Sequence, residues 1–344
     1  MFRLESTPYL LPTQSERQIR TKLESIEERV SLLRQSGVLT QVTLRNYYGE
    51  RRFEQVAESN AIEGSTLSIG ETELAVLKGV TVTGHDPAYV RDAIALDRAL
   101  SRVTEIARSS KATDIEQLLE IHGLLLGERA GAGMFRSEPV RIRGASHTPP
   151  RTWGEIMDQM EVWQAWSANN ADAPAPLRAA VMHAWLTHIH PFIDGNGRVS
   201  RAIGNLELIR AGYPPIIIKK VERDRYIDAL AESDMGGDLG AFIDLVFDRI
   251  DGSLMGLERS AAKSQGYSPA IARLAKLQEQ QMKIWTNGLS LFGAMLEHNL
   301  TAALEPLSGT CSFRFYGGIG DVQDFASLCA GKSVAGTWAF TLFL

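Results

Sequence analysis

With 344 residues, 44% of them hydrophobic, the chain is long enough for one large domain with an appendage, or for two domains. Its formal net charge of -5 gives no broad basic footprint for nucleic acid or an anionic membrane surface. Two cysteines, Cys311 and Cys329, without CxxC spacing argue against a disulfide framework or a zinc site; no signal-peptide core opens the chain and no apolar run nears the roughly 18 residues of a membrane span. The chain therefore reads as soluble and cytoplasmic.

The first 39 residues read as a proline-containing arm and a helix over 15–35, with Ile19, Leu23, Ile26, Val30 and Leu33 at spacings of three and four. A second helix, over 40–62, carries Val42, Leu44, Tyr47, Phe53 and Val56 and finishes near Gly64, a C-cap. It ends in SNAIEG, Ser59 to Gly64, where a solvated glutamate at a helix end is the plain local reading. A third helix is expected over 69–82, capped by Ser68 with Glu71 three residues on, and further helices over 86–107 and 114–126, the latter with Thr113 as N-cap.

The pattern then changes. Between Gly127 and Pro150 there are three more glycines, three prolines and the alternating run Val140-Arg141-Ile142-Arg143, a strand-like period that predicts a short hairpin. Helical periodicity returns over 153–166 and 177–189. His183, His188 and His190 invite a metal reading, but spacings of five and two put them on different faces, and His183 is expected to be a satisfied core residue.

The densest stretch is HPFIDGNGRVSR, His190 to Arg201. Gly195-Asn196-Gly197 lets the backbone turn into a new helix, whose unpaired N-H groups and positive dipole end favour an anion. Arg198 and Arg201, three apart, can clamp one polyphosphate. Asp194 is suited to a divalent cation shared with phosphates, and His190 to accepting a proton. A helix-helix turn with solvated arginines is the competing reading.

These twelve residues resemble the Fic family signature, HPFxxGNGRxxR, at every fixed position. The resemblance implies an all-α Fic-type core, with the hairpin around Val140, Arg141 and Ile142 as a flap that registers an extended target segment by strand addition. It implies a protein adenylyltransferase: His190 as general base, Asp194 as Mg²⁺ ligand, Gly195, Asn196 and Gly197 as anion hole, and Arg198 and Arg201 on the phosphates of ATP. Phe192 would anchor the loop. SNAIEG resembles the inhibitory motif S/T-x-x-x-E-G/N of autoinhibited members, which implies that Ser59 and Glu63 belong to a lock in which Glu63 pairs with Arg201 and excludes the γ-phosphate. Such a pair is worth roughly 1.5 to 3 kcal/mol, about ten- to 150-fold in binding.

Beyond the signature, Tyr213-Pro214-Pro215 stops the helix, and helices are expected over 221–231 and 238–257. RDRYIDAL, Arg223 to Leu230, resembles the family segment lining the nucleoside pocket, so Tyr226 and Leu230 would flank adenine; Asp234 stands where many relatives have asparagine, and a carboxylate only accepts hydrogen bonds. A helical stretch over 268–292 and two apolar segments after Cys311 predict a small β element of unknown role, whose aromatics suit packing on the core or on a second copy. The expected organisation is 1–39 as arm and helix, 40–257 as catalytic domain and 258–344 as appendage. Three rival readings stay open: removal of AMP with Glu63 orienting water, an ATP-modulated binding module with little turnover, and a metal-dependent hydrolase built on His183, His188, His190 and Asp194.

Overall fold

A computed structural model describes residues 4–80, 83–142, 147–265, 268–307, 312–315, 322–330 and 340–343. It forms two compact units, Met1–Gln265 and Gly266–Leu344. The first is helical: α1 Thr13–Gln35, α2 Gln41–Ile62, α3 Ile69–Lys78, α4 Pro87–Ile106, α5 Ile115–Leu126, α6 Trp153–Asn169, α7 Ala175–Ile189, α8 Asn196–Arg210, α9 Arg223–Gly236 and α10 Gly240–Gln265. No helix among the described residues is long and apolar enough to cross a membrane.

The centre of this unit is α7. Its residues from Ala175 to Leu186 are all buried, as is Ile189, which is why its sequence shows no polar stripe. It packs most extensively on α8, equally buried from Arg198 to Leu208, and the loop joining the two is His190 to Gly195. The candidate loop therefore sits between the two most enclosed helices of the fold.

Several helix starts follow the expected chemistry. Thr40 and Ser68 form capping boxes, and Asp86 accepts from the Ala88 amide. Several boundaries differ from the expected ones, two of them for a readable local reason. Asp114 rather than Thr113 caps α5, because the buried Thr113 hydroxyl is engaged by the Glu207 carboxylate. The third helix stops at Lys78, where Gly79 adopts a left-handed φ of 63° that ends it four residues early.

The expected hairpin between Gly127 and Pro150 is also corrected: no strand forms among its described residues, and 143–146 lie outside them. A side chain does the work of a ladder there. Arg136 is 2% exposed and its guanidinium donates to Glu138 O at 2.8 Å and Pro150 O at 2.7 Å, tying the two ends of the segment together. Pro139, Pro149 and Pro150 have no N-H to give to a ladder.

Residues 1–39 lie in the same compact unit as the core. Lys22 pairs with Asp244 and Asp248, and Arg29 with Asp251 and Glu258, which ties α1 to α10. The second unit contains α11 Pro269–Leu304, a short strand β1 Ser312–Phe315, α12 Val322–Cys329 and β2 Phe340–Phe343. The strands pair antiparallel, Ser312 opposite Phe343, and α12 separates them in sequence, so the expected β element is a two-stranded sheet with a helix between its strands. Cys311 lies outside the described residues; Cys329 is exposed and unpaired.

A buried charge cluster joins α7 and α8. Glu207, its side chain fully enclosed, contacts Arg178, Thr113 and, at 2.9 Å, Arg210. Removing one partner from such a cluster leaves uncompensated charge. Glu207→Ala is expected to lower unfolding stability by about 3–5 kcal/mol in urea titrations; a loss under about 1 kcal/mol would contradict this account of the α7–α8 contact.

Candidate active site

His190 caps α7 in the left-handed conformation, φ 51° and ψ 55°, a strained geometry for a residue with a side chain. Its neighbours hold it there. The His190 carbonyl accepts from Arg136 Nε at 2.8 Å, and the Pro191 carbonyl accepts from the Arg136 amide at 2.9 Å. The ring Nδ1 lies 3.3 Å from the Thr187 carbonyl, so Nδ1 carries the proton and Nε2 keeps a free lone pair. Burial pushes the imidazole down to about 4, with Arg136 acting in the same direction and the Thr187 hydrogen bond and the Glu63 charge against it. At neutral pH the ring is therefore in the form that accepts a proton.

The loop is shaped from inside. Phe192 is fully buried and stacks on the His122 ring at 3.6 Å, with Phe135 tilted at 5.5 Å. His122 Nδ1 accepts from the Gly133 amide at 3.1 Å, which leaves Nε2-H to donate to Asp194 O at 3.0 Å. Asn196 closes the turn with both ends of its amide: Oδ1 accepts from Phe192 N at 3.0 Å and Nδ2 donates to Phe192 O at 2.8 Å. Gly195 takes φ 83°, where a side chain is strained, and a Cβ there would fall 2.9 Å from Leu125 Cδ2, which would have to shift.

Of the three amides expected to greet an anion, one is engaged. Gly195 N donates to Asp194 Oδ1 at 2.6 Å. The amides of Asn196, Gly197 and Arg198 form the first turn of α8 and have no partner within the helix.

The two arginines serve different carboxylates. Arg198, side chain 5% exposed, lies 3.1 Å from Asp92 and 3.2 Å from Asp194, while Arg129 bridges the same two acids at 3.0 and 3.4 Å. Asp194 remains 56% exposed at its side chain. Arg201 turns the other way. Its Nη2 donates to Glu63 Oε1 at 2.7 Å and to Ser59 O at 2.9 Å, and its Nε donates to Ser59 Oγ at 2.9 Å. Burial acts to lower its pKa most, but Glu63 and Tyr226 outweigh burial and raise it, so the guanidinium stays charged. Its buried Nη1 has no hydrogen-bond partner.

Ser59 and Glu63, one turn apart at the end of α2, thus reach the same side chain. Glu63 sits directly over the start of α8: a Cβ on Gly197 would fall 2.6 Å from Glu63 Oε1. The carboxylate rests against the anion-attracting end of the helix. Because Glu63 is 42% exposed, the pair is worth less than a dry one, about 1–2 kcal/mol, or roughly five- to 30-fold.

Tyr226 departs from its expected place. It is 2% exposed, with its hydroxyl 2.9 Å from His183 Nε2, Phe242 at 6.1 Å on one side and the Arg201 guanidinium 5.8 Å from its ring centroid. It has no open face for a base, and instead supports Arg201 from below. His183 is the core residue expected, pushed down to about 3 by burial and by Arg201. Asp234 meets His188 Nδ1 at 2.7 Å. His183, His188, His190 and Asp194 each have separate partners and do not converge, so a metal centre built on those four does not form. Sequence reasoning passed over Asp92, His122 and Arg129, which come from α4, α5 and the loop after α5, and read Arg136 only as part of the flap; the signal of the first three was being polar residues in otherwise apolar or irregular stretches.

A helical domain in which a loop and helix N-terminus carry a buried imidazole, a carboxylate and two arginines has the chemistry to hold a phosphate. Residues 112–208 match the Fic/DOC family. It is 30% identical over 248 residues to a protein named Protein adenylyltransferase Fic from Drosophila persimilis, a match covering 71% of this chain and 47% of that one. A protein of the same name from Nematostella vectensis is 34% identical over 202 residues, 57% of this chain and 46% of that one. The chain spans about half the length of these curated relatives. Among solved structures, Fic-1 from C. elegans superposes with a TM-score of 0.65 at 27% identity, covering 73% of this chain and 74% of that one.

Two buried neutral histidines make stability depend on pH. His190 and His183 have folded values of about 4 and about 3 against an ordinary 6.5, so below pH 6.5 the unfolded chain binds more protons. Their stabilising contribution is complete above about pH 6.5 and is lost as pH falls toward their folded values. Unfolding titrations should show stability falling from pH 6.5 to 4.5, less steeply in His183→Asn, and the ¹⁵N resonances of both rings should stay in their neutral positions down to about pH 5. A ring titrating near 6.5 contradicts the burial described.

Proposed function

We propose that this chain is a protein adenylyltransferase that moves AMP from ATP to a hydroxyl of a target protein and is held in check by Glu63. The observation that carries the reading is the Glu63 carboxylate lying against Gly197 and Arg201, where a phosphate would otherwise meet helix end and guanidinium together. Names of the relatives support the reaction class.

In this reading His190 Nε2 takes the proton as a Ser, Thr or Tyr oxygen attacks the α-phosphorus; the bond to the β-phosphate oxygen breaks and pyrophosphate leaves. The amides of Asn196, Gly197 and Arg198 point at the developing charge. Asp194 fits a Mg²⁺ role, since it is an exposed hard-oxygen donor at the mouth of the loop. That ion, when bound with the phosphates, neutralises their charge. Arg129 and Arg198, now paired with Asp194, would release it in part. Arg201 holds the γ-phosphate once Glu63 has moved, and its unpartnered Nη1 is a donor in reserve.

A target segment would lie along Val140, Arg141 and Ile142, where no ladder occupies the backbone among the described residues. The paucity of cysteine fits a reducing compartment such as the cytoplasm.

The test follows transferred phosphate. Label from α-phosphate-labelled ATP should enter protein and label from the γ-phosphate should not. Glu63→Gly should raise transfer about five- to 30-fold, and His190→Ala should lower it about 10²- to 10⁴-fold in that background. Transfer of the γ-label, or a Glu63→Gly variant no faster than wild type, would sink the proposal.

A further inference from the structure

Beside the site, but outside it, three side chains from separate segments converge. His147 lies in the loop before α6, His188 in the last turn of α7 and Asp234 in α9. One ring nitrogen of each histidine and one Asp234 oxygen all lie within 4.8 Å of one another. The His147 and His188 rings stack at 4.0 Å, and Tyr9 closes one side, edge-on to His188 at 6.2 Å.

The hydrogen bonds prepare a nitrogen lone pair on His147, while His188 Nδ1 donates to Asp234 and gives up that proton when a cation binds between them. His147 Nε2 is 2.9 Å from the His188 carbonyl, which only accepts, so Nε2 carries the proton and Nδ1 is free. A ligating histidine whose other nitrogen donates to a backbone carbonyl is the usual outer-shell arrangement at zinc. Asp234 meets only the His188 imidazole; no lysine or arginine ion pair reaches it among the described residues. The side chains of His188 and Asp234 are 19% and 11% exposed, enclosed enough to favour a bound cation and open enough to admit one.

From this geometry we propose that His147, His188 and Asp234 bind a zinc-type divalent cation, with water in the fourth position. Two imidazoles and one carboxylate suit Zn²⁺, whereas Mg²⁺ selects oxygen alone. Tetrahedral ligands at about 2.1 Å from zinc sit about 3.4 Å apart, so the cluster closes by movements on the order of 1 Å. The absence of a CxxC pair is no obstacle, because this donor set needs no cysteine.

The site touches the frame of the catalytic loop. Thr187, next to His188, holds His190 Nδ1, and Pro150, three residues after His147, accepts from the Arg136 guanidinium that also holds the His190 carbonyl. A bound cation joins these two supports. The inference does not depend on the reaction proposed above.

Zn²⁺ binding to the untagged full chain, measured by competition with a chromophoric chelator, tests it. The expected result is one equivalent per chain, unaffected by excess Mg²⁺, weakened on the order of 10- to 100-fold in His147→Ala and in Asp234→Asn, and unchanged in the His85→Ala control. Co²⁺ substitution should give visible tetrahedral d–d bands that His147→Ala removes; circular dichroism establishes that the variants are folded. Absence of stoichiometric zinc binding, or wild-type affinity in folded His147→Ala and Asp234→Asn, overturns the proposal.

Discussion

A carboxylate lies where the fold has prepared a place for an anion. Three free amides, the positive end of α8 and the buried Arg201 all converge near Gly197, and Glu63 Oε1 fills the space that a single methyl group there would need. Glycine at 197 permits the close approach of the glutamate, and it leaves the backbone there open enough for an anion in the same place. Ser59 reinforces the contact by accepting from Arg201 Nε and Nη2, so the arginine is positioned before any ligand arrives.

The same geometry sets the strength of the contact. Arg201 is almost wholly enclosed while Glu63 is 42% exposed, so one partner is immobile and the other is free to leave toward solvent. α2 is anchored nearby rather than at the pair itself: Arg223 donates to the Ile62 carbonyl at 3.1 Å and the Lys220 amide to Glu58 at 2.7 Å. A contact of about 1–2 kcal/mol can therefore open without unfolding the helix that carries it. The loop between α7 and α8, by contrast, is held along its length. His190, Phe192 and Asn196 are held by backbone-directed hydrogen bonds and stacking; the Thr187 contact sets the His190 tautomer, and burial keeps the ring neutral.

Much of this was legible in the amino-acid order because the loop is local. The residues that make the turn itself, Gly195 and the Asn196 amide paired with Phe192, are neighbours in sequence, and glycine spacing, helix start and charge all announce it. Glu63 could be read only through a motif resemblance, since its contact with Arg201 joins α2 to α8 across the fold. Features that depend on distant packing were not visible. Arg136 looked like one more flap residue until the fold placed it under the His190 carbonyl. Tyr226 read as a base-stacking side chain, yet packing on His183 and Phe242 buries it. The strand-like alternation at Val140 to Ile142 was real in sequence, but prolines and the Arg136 contacts leave it without a ladder among the described residues.

The central claim is a competition for one guanidinium, and equilibrium affinity for ATP reports it without requiring a target protein. Isothermal titration of Mg·ATP into wild type and Glu63→Gln should show the variant binding about five- to 30-fold more tightly, with the difference abolished when Arg201→Ala is added to both. Equal affinity of wild type and Glu63→Gln would mean that Glu63 and ATP do not compete for Arg201, and the account would fail.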